Sequence, residues 1–379
     1  MSHIEVGSVS SRSDLKAFVD LPWKIYAGDE NWVPPIKKLL RKLLDPHKHP
    51  FWQFSRRELF LARRGGKVVG RIAGIVDDNY NRYHNEKSGA WGFFECYNDS
   101  EAAQALFNAV ENWVTAEGMT YLRGPFSPST NYEIGMLIEG FEFPPTFMMT
   151  YNPKYYPSLV ESCDFRKEKD LLALLLDKRP GSGKREFIAR LAQKITEKGF
   201  VHLRNLDLNS LHSEVAMMKS LYEEAWGKNW GFVPMTDTEL MEMAGNLRKL
   251  LDPDFAFFVY YKDEPAGFCL IVPDVNPLLR RLNGKLGIMS LLKIALYRKE
   301  ITGLRGLLFG FKPKYQKLGL PLVAFDHLDR VQENTPQYKY LELGWNLEDN
   351  HDINQFEMDL GARIYKKYRI YGKQLSMRE

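Results

Sequence analysis

The sequence predicts an α+β protein of two domains in tandem, each a mixed and mostly antiparallel sheet flanked by helices. Three observations lead to this prediction. The chain has 379 residues, which is enough for two domains at about 150 residues each. Its composition, 44% hydrophobic and 26% charged, is that of an ordinary soluble protein. Strands and helices are predicted in a similar order in both halves, so we place the domains at 1–180 and 181–379, joined by the stretch 177–184, which contains Pro, Gly and Ser.

The first fifty residues are predicted to pack as an N-terminal apron against the first domain. They combine a polar start, a short helix at 14–26, the segment Trp32-Val-Pro-Pro35 and a basic amphipathic segment at 36–44. After the apron, apolar strands on both sides of Gly65-Gly66 predict a β-hairpin. The predicted elements that follow are a strand at 91–97, a helix that is capped within 98–100 and ends at 118, a strand at 119–123, a long aromatic loop at 124–157 and a strand at 169–176.

The second domain repeats this order with more helices. Strands are predicted at 201–208, 255–261, 266–272, 306–311, 338–347 and 363–371, and helices at 210–225, 237–250, 321–332 and 350–360, with a basic helical insert at 278–301. Gly70 precedes Asn79 by nine residues, and Gly267 precedes Asn276 by the same interval. This echo fits a duplication, and a chance match between two hairpins explains it equally well.

Composition and motif spacing exclude several classes of protein and site. No apolar run approaches the roughly 20 residues of a membrane span, and the start lacks a signal-peptide pattern, so we expect a cytoplasmic protein without a membrane partner. A net charge of +4 is too small for a dedicated nucleic-acid binder. Three widely spaced cysteines argue against disulfides or a Cys-based zinc site, and we expect them to be buried. His47 and His49 lack an obvious third ligand, so no metal is expected.

The most informative segment is a strand, a tight turn and the start of a helix between Leu307 and Val323. Such a turn exposes backbone N–H groups at the positive end of a helix, where a diphosphate can bind. Lys312, Lys314 and Lys317 add positive charge to it. The segment therefore predicts a site for a diphosphate.

This turn resembles the cofactor motif of the GCN5-related N-acetyltransferase (GNAT) superfamily, which is Gln or Arg, two residues, Gly, one residue, then Gly or Ala. Here it reads Gln316-Lys-Leu-Gly319-Leu-Pro321. The continuation is also similar, because Asn350 follows a strand and opens a helix that ends in Leu360-Gly361. The resemblance implies that the second domain binds acetyl-CoA or another acyl-CoA through Phe309, Phe311, Lys312, Gln316, Lys317, Gly319, Leu320 and Asn350. The first half lacks this motif at 96–100 and resembles a degenerate GNAT domain.

Two departures from the family pattern concern cofactor binding and catalysis. Pro321 stands where the motif has Gly or Ala, and proline has no N–H for a phosphate, although it suits the first turn of a helix. The family's general acid, a Tyr seven residues after the Asn, is here Glu357, and Tyr365 on the next strand is the other candidate. A Glu on an amphipathic helix is expected to be a solvated charge, and it acts near neutral pH only where burial raises its pKa.

Two aromatic loops are candidates for an acceptor site. In the first domain, 127–133 and 148–156 combine aromatic rings with amide and hydroxyl groups, a mixture typical of small-molecule pockets, which gives the candidates Asn131, Glu133 and Tyr151. An ordered cap over the domain explains this composition equally well. In the second domain, 226–234 is a similar loop. The resemblance implies that this region borders the acceptor, which adds Asn229 and Trp230.

The resemblance implies an acyl-CoA-dependent N-acyltransferase, with acetyl transfer to a small amine or an amino-acid-like acceptor as the first hypothesis. Pro321 and Glu357 leave open a non-catalytic ligand-binding or scaffolding protein on the same fold. A third hypothesis is an aminoacyl-type transferase that uses an RNA carrier; tandem domains fit it, but the sequence has no clear basic groove. The sequence leaves acyl chain length and homo-oligomer formation open.

Overall fold

The computed structural model describes residues 3–177 and 183–376, which contain both strands and helices. In this part the strands β1 to β15 are, in chain order, Ile4–Ser8, Ser55–Arg64, Lys67–Asp77, Ser88–Cys96, Tyr121–Gly124, Phe126–Ser127, Glu133–Ile134, Met136–Glu139, Arg166–Asp177, Val201–Asn205, Ala256–Tyr261, Glu264–Pro273, Gly303–Phe311, Tyr340–Leu347 and Arg363–Gln374. The helices α1 to α13 are Arg12–Asp20, Pro22–Ile25, Lys37–Leu43, Asp78–His84, Ser100–Ala116, Tyr156–Glu161, Gly183–Thr196, Leu211–Trp226, Asp237–Leu247, Asn276–Leu282, Ile288–Tyr297, Leu320–Asn334 and His351–Asp359. Short 3-10 helices lie at Pro50–Gln53, Pro253–Phe255, Arg298–Glu300 and Pro313–Leu318. This mixture confirms the predicted α+β class.

The described residues form two units, each assembled from stretches that are distant in sequence. The first unit contains the described residues of 1–172, 276–296 and 365–379, and the second contains those of 173–275 and 297–364. The boundary predicted near residue 180 falls among residues 178–182, outside the described part of the chain.

The first unit is built on a sheet with the strand order β1-β2-β3-β4-β5-β15. Neighbouring strands are antiparallel except β4 and β5, which are parallel. Asp99 caps the start of helix α5, since its carboxylate accepts a hydrogen bond from the Ala102 N–H at 3.1 Å. Its apolar face is fully buried at Leu106 and Phe107, and the Phe107 ring meets the edge of Trp91 on β4 at 5.0 Å between centroids. The helix predicted between 98–100 and 118 is therefore confirmed as α5, with its apolar side in the core.

The N-terminal apron packs on the first unit, as the sequence predicted, but it is more regular than expected. Phe18 and Val19 of α1 are fully buried. The polar start forms β1, which pairs antiparallel with β2 from Ile4 opposite Arg64. Because Ile4 is buried while most of this strand is exposed, main-chain hydrogen bonds hold it more than apolar side chains do. A strand of that kind has little hydrophobic alternation from which it can be predicted.

The second unit is built on the strand order β10-β11-β12-β13-β14. The first four strands are antiparallel to their neighbours, and β13 and β14 are parallel. Helix α7, which was not predicted from the sequence, is tied to α12 by an ion pair between Arg185 Nη1 and Asp329 Oδ1 at 2.9 Å. Pro180, Gly181 and Ser182, which precede α7 in the sequence, are residue types that favour a linker, so the start of a helix was not predicted there.

The three cysteines are free and buried, as predicted. Burial raises the pKa of the Cys96 thiol to about 12. These side chains therefore act as small apolar groups in the described structure.

Candidate active site

The predicted cofactor turn lies between β13 and α12. Its 3-10 segment ends at Gly319, which has a positive φ of 75°. A Cβ on Gly319 would lie 2.6 Å from Cδ1 of Ile195 in α7, so both conformation and space require glycine here. Leu320 begins α12 with a fully buried side chain, and Pro321 lies in the first turn. The start of α12 can therefore donate backbone N–H groups except at Pro321, which has none.

Gln316 closes this turn. Its Nε2 donates a hydrogen bond to the backbone carbonyl oxygen of Phe311 at 3.2 Å. The bond ties the end of β13 to the 3-10 segment, while the rest of the Gln316 side chain is exposed, as is that of Lys317. The described structure thus shows Gln316 as a residue that positions the turn.

The positive charge predicted at the turn is partly neutralised. Lys312 Nζ lies 3.2 Å from a carboxylate oxygen of Glu224 and 3.3 Å from one of Glu264. Lys314 Nζ lies 2.7 Å from the same oxygen of Glu264, and the Tyr315 hydroxyl donates to its second oxygen at 2.5 Å. The hydrogen bond from Lys314, followed by that from Tyr315, lowers the pKa of Glu264 to about 2. Two of the three predicted lysines are therefore held by carboxylates at the base of the turn.

Two backbone N–H groups at the end of β13, those of Phe309 and Phe311, point away from β12. The N–H of Lys312 donates to the carbonyl of Ala266 on β12 at 2.9 Å. Because the direction of these groups alternates along an antiparallel strand, the N–H groups of Phe309 and Phe311 point to the opposite side. On that side the parallel pairing of β13 with β14 covers Gly303–Arg305. Both N–H groups thus face the edge of β13 beyond its pairing with β14.

Glu357 on α13 is buried, and the expectation of a solvated charge is wrong. The residue is only 4% exposed, and its Oε2 accepts a hydrogen bond from Asn346 Nδ2 at 2.7 Å. Burial raises the pKa of Glu357 to about 7, although the Asn346 hydrogen bond and the charge of Arg305 oppose that rise. A carboxyl group with this pKa can both accept and donate a proton near neutral pH.

A buried ion pair joins β13 and β14 at the last position where they are paired. Arg305 lies opposite Glu342 in the parallel register, and its Nε is 3.4 Å from the Glu342 Oε1. Both residues are almost fully buried. This pair and Asn346 are not among the site residues predicted from the sequence. Charged residues inside the apolar strands 303–311 and 340–347 were an available signal, since a charge on a buried strand requires a partner.

Asn350 lies immediately before α13, as predicted. Its backbone carbonyl accepts a hydrogen bond from the Asn354 N–H at 3.1 Å, which starts the helix. In the described structure its side chain makes no capping hydrogen bond. A role for the Asn350 side chain in cofactor binding stays a prediction.

Tyr365, the second candidate acid, lies in the first unit, whereas Glu357 lies in the second. The Tyr365 ring contacts Phe143 edge-on, with centroids 5.3 Å apart, and Lys366 Nζ lies 4.9 Å from the centroid of the Tyr365 ring. These contacts account for the 9% exposure of the residue. Packing in the first unit therefore explains the position of Tyr365.

The aromatic loop of the second unit begins over the end of β13. A Cβ on Gly310 would lie only 2.1 Å from the Trp226 ring, so glycine is needed for this ring to pack on the strand. Asn229 donates its N–H to the Trp226 carbonyl at 2.7 Å and accepts the Phe232 N–H at 3.2 Å. Trp230 is half-buried. The loop that carries Asn229 and Trp230 is thus anchored beside the strand that ends in the cofactor turn.

The aromatic loop of the first unit contains short strands that the sequence analysis did not predict. Asn131 is half-buried and donates its N–H to Ser129 Oγ at 3.3 Å. Glu133 on β7 reaches solvent, yet the surrounding protein desolvates its carboxyl and raises the pKa to about 7. The Tyr151 hydroxyl donates to Asp29 at 3.0 Å, and burial, followed by the Asp29 charge, raises its pKa to about 12. The three acceptor candidates of this loop all lie in the first unit.

Solved structures with the same fold include a tandem protein. A tandem GNAT protein from the clavulanic acid biosynthesis pathway matches with a TM-score of 0.56 and 10% identity over 100% of both chains. A GCN5-related N-acetyltransferase from Sphaerobacter thermophilus matches with a TM-score of 0.53 and 12% identity, over 98% of this chain and 96% of the other. These matches confirm the predicted GNAT fold. No protein-family model matches the chain.

Two named relatives are similar to this chain over nearly their whole length. The bacterial ceramide synthase of Caulobacter vibrioides (strain NA1000 / CB15N) is 32% identical over 383 aligned residues, which cover 98% of each chain. Protein YghO of Escherichia coli (strain K12) is 30% identical over 376 aligned residues, which cover 96% of this chain and 94% of YghO. The similarity therefore extends over both halves of the chain.

Proposed function

Because this chain belongs to the family of GNAT-fold proteins that includes the bacterial ceramide synthase of Caulobacter vibrioides, we propose that it is an acyl-CoA-dependent N-acyltransferase for a lipid amine. A ceramide is an amide of a fatty acid with a long-chain amino alcohol. The proposed donor is accordingly a fatty acyl-CoA, and the proposed acceptor is the primary amine of such an amino alcohol. Acetyl transfer to a small amine, the hypothesis drawn from the sequence, is the competing assignment.

The residues of the turn fit a CoA donor. The diphosphate would bind at the start of α12, where Gly319 and Leu320 offer backbone N–H groups and Gln316 holds the turn in place. The exposed Lys317 would add positive charge. When bound, acyl-CoA supplies an activated thioester, and the N–H groups of Phe309 and Phe311 would polarise its carbonyl.

The observation that carries the catalytic part of the proposal is the buried Glu357, with its pKa raised to about 7. The amine nitrogen attacks the thioester carbon, and collapse of the tetrahedral intermediate breaks the C–S bond and leaves an amide. During this reaction the amine nitrogen loses a proton and the sulfur of CoA gains one. The carboxylate form of Glu357 takes the proton from nitrogen, and the acid form returns it to the CoA thiolate.

The test compares acyl donors and acceptors directly. Purified protein is incubated with palmitoyl-CoA and sphinganine, and separately with acetyl-CoA and small amines; amide products are identified by mass spectrometry and free CoA thiol is measured. We expect amide from the long-chain pair. Amide from acetyl-CoA and small amines alone would replace the lipid acceptor with the small one. Binding of CoA in a calorimeter without any amide product would favour a non-catalytic protein, and retention on aminoacylated RNA that weakens with salt would favour an aminoacyl transferase.

Two variants assign roles to residues. Glu357→Gln keeps the size of the side chain but cannot transfer a proton, so kcat should fall about 100-fold or more. Asp352→Asn, on the exposed side of the same helix, is the matched control and should keep full activity.

Gln316→Ala should raise the Kd for CoA about fivefold, the effect of one lost hydrogen bond. Unchanged affinity would move the donor site away from this turn.

A further inference from the structure

Helix α11 in the basic insert presents a wide apolar face to solvent. Successive residues of an α-helix are separated by about 100° around its axis, so the five large and exposed apolar residues of α11 fall within an arc of about 160°. The exposed members of this face are Ile288 (86% exposed), Met289 (67%), Leu291 (69%), Leu292 (61%) and Leu296 (69%). A continuous apolar surface of this kind marks an interaction site in a folded protein.

The outward direction of this face is fixed by contacts on the opposite side of the helix. Ser290, only 6% exposed, accepts a hydrogen bond from the Gly287 N–H at 3.0 Å and donates one to the Lys285 carbonyl at 3.2 Å. Lys293 Nζ donates to the carbonyl of Arg281 on α10 at 2.8 Å. Helix α11 is thus held by its polar side, with its leucines directed away from these contacts.

The insert that carries this face has a positive net charge. Residues 276–296 contain four basic residues, Arg280, Arg281, Lys285 and Lys293, and no acidic residue. Their net charge of +4 equals that of the whole chain, so the remaining residues are neutral in sum. After Tyr297, the sequence continues with Arg298, Lys299 and Glu300, which add a net charge of +1.

A second basic segment lies beside this insert in the first unit. The N–H of Lys37, the first residue of α3, donates to the Gly284 carbonyl at 3.0 Å, and Trp23 Nε1 donates to Asn283 Oδ1 at 2.8 Å. Helix α3 exposes the side chains of Lys38, Leu39 and Arg41. Basic groups and apolar side chains are therefore combined on both segments.

From this surface, which we call the α11 face (residues 286–296), the geometry points to docking on an anionic phospholipid membrane. The helix lies in the plane of the membrane, with its leucines among the acyl chains and its basic residues at the level of the lipid phosphates. A second copy of the chain is a poorer occupant because it would bring positive charges together. A protein partner is a poorer one because the face has aliphatic side chains where protein interfaces favour Tyr, Trp and Arg.

This arrangement does not require a spanning segment. Among residues 3–177 and 183–376, no helix has the length and apolar character needed to cross a bilayer. The ten residues of α11 extend about 15 Å, which suits a helix that lies on a surface. The inference departs from the sequence-based expectation of no membrane partner, and it stands on the surface alone, independently of the proposed reaction.

Vesicle binding tests the inference without any substrate. The full chain is sedimented with vesicles of phosphatidylcholine, with or without one quarter phosphatidylglycerol. We expect binding to the anionic vesicles that weakens with salt. Leu291→Gln combined with Leu292→Gln should reduce the partition coefficient about tenfold or more, because two apolar side chains no longer enter the lipid. Phe187→Gln, which alters a side chain of another exposed helix position, is the matched control and should bind as the wild type does. Failure of the wild type to sediment, or equal binding by the double variant, would overturn the inference.

A label on the helix separates insertion from surface adsorption. The native cysteines are all buried, so Leu292→Cys gives one accessible thiol for an environment-sensitive fluorophore, and Lys198→Cys gives the control position. Anionic vesicles should shift the emission of the label at 292 to shorter wavelength and leave the label at 198 unchanged. Equal emission at the two positions would overturn insertion. A dimer seen by light scattering that the Leu291 and Leu292 substitutions dissociate, with no vesicle binding, would assign the face to self-association instead.

Discussion

The substitution Glu357→Gln should stabilise the second unit at alkaline pH. Burial raises the pKa of Glu357 from 4.5 to about 7, so between these values the folded protein keeps a proton that the unfolded chain releases. The free energy of unfolding of the wild type therefore falls as the pH rises through this interval. A pKa difference of about 2.5 corresponds to about 3 kcal/mol in full, of which about 2.5 kcal/mol develops between about pH 5 and pH 8.5. Gln keeps an oxygen for the Asn346 amide and never ionises, so the variant avoids this loss.

Urea unfolding followed by tryptophan fluorescence at several pH values measures the effect. The difference in unfolding free energy between variant and wild type should grow in favour of the variant by about 2.5 kcal/mol between about pH 5 and pH 8.5. Asp352→Asn, exposed on the same helix, should show no such growth. A difference between Glu357→Gln and wild type that stays constant over this range would refute the reasoning, because it would mean that Glu357 ionises like a solvated carboxyl.

Three further predictions concern the turn and the second candidate acid. Gly319→Ala should lower the unfolding free energy by about 1–3 kcal/mol, because of its positive φ and the close Ile195 contact. Gly245, a helical residue with open space around it, gives the control Gly245→Ala, which should not destabilise the protein. Equal thermal midpoints for the two variants would contradict this account. Pro321→Ala supplies an N–H at the start of α12 and should lower the Kd for CoA about fivefold in a calorimetric titration, unless the diphosphate binds elsewhere. Tyr365→Phe keeps the ring packing and should leave kcat within about twofold of the wild type if Glu357 transfers the proton, whereas a loss of 100-fold or more would assign that role to Tyr365.

Much of the second unit was predictable because its signals are local. The helix predicted at 321–332 is observed at 320–334, and the strand predicted at 306–311 is observed at 303–311. The turn at Gly319 lies between them, as predicted. A glycine before a helix, an apolar strand and a helical repeat of apolar residues each depend on a few neighbouring residues. The same locality explains the correct prediction of α5 in the first unit.

The protonation state of Glu357 was not predictable in this way. Its pKa depends on burial and on contacts with other elements of the fold, namely Asn346 on β14 and Arg305 on β13. The periodicity of α13 shows which side of the helix is apolar, but it does not show what lies against a given carboxyl. The exposure of α11 is the converse case. An apolar pattern that normally predicts a buried side belongs here to a face that the described residues leave exposed.

The pairing of β15 with β5 has a consequence for synthesis of the protein. Tyr371 pairs with Gly124 and Gln374 with Tyr121, so one edge of β5 receives its partner only when the last residues have been made. At about 5–20 residues per second, a ribosome takes roughly 10–50 s to add this intervening chain. During that time β5 has an unpaired edge, which can pair with other chains. A nascent chain that stalls before Tyr365 would keep this edge open, so we expect stalled or truncated chains to depend on chaperones and to aggregate.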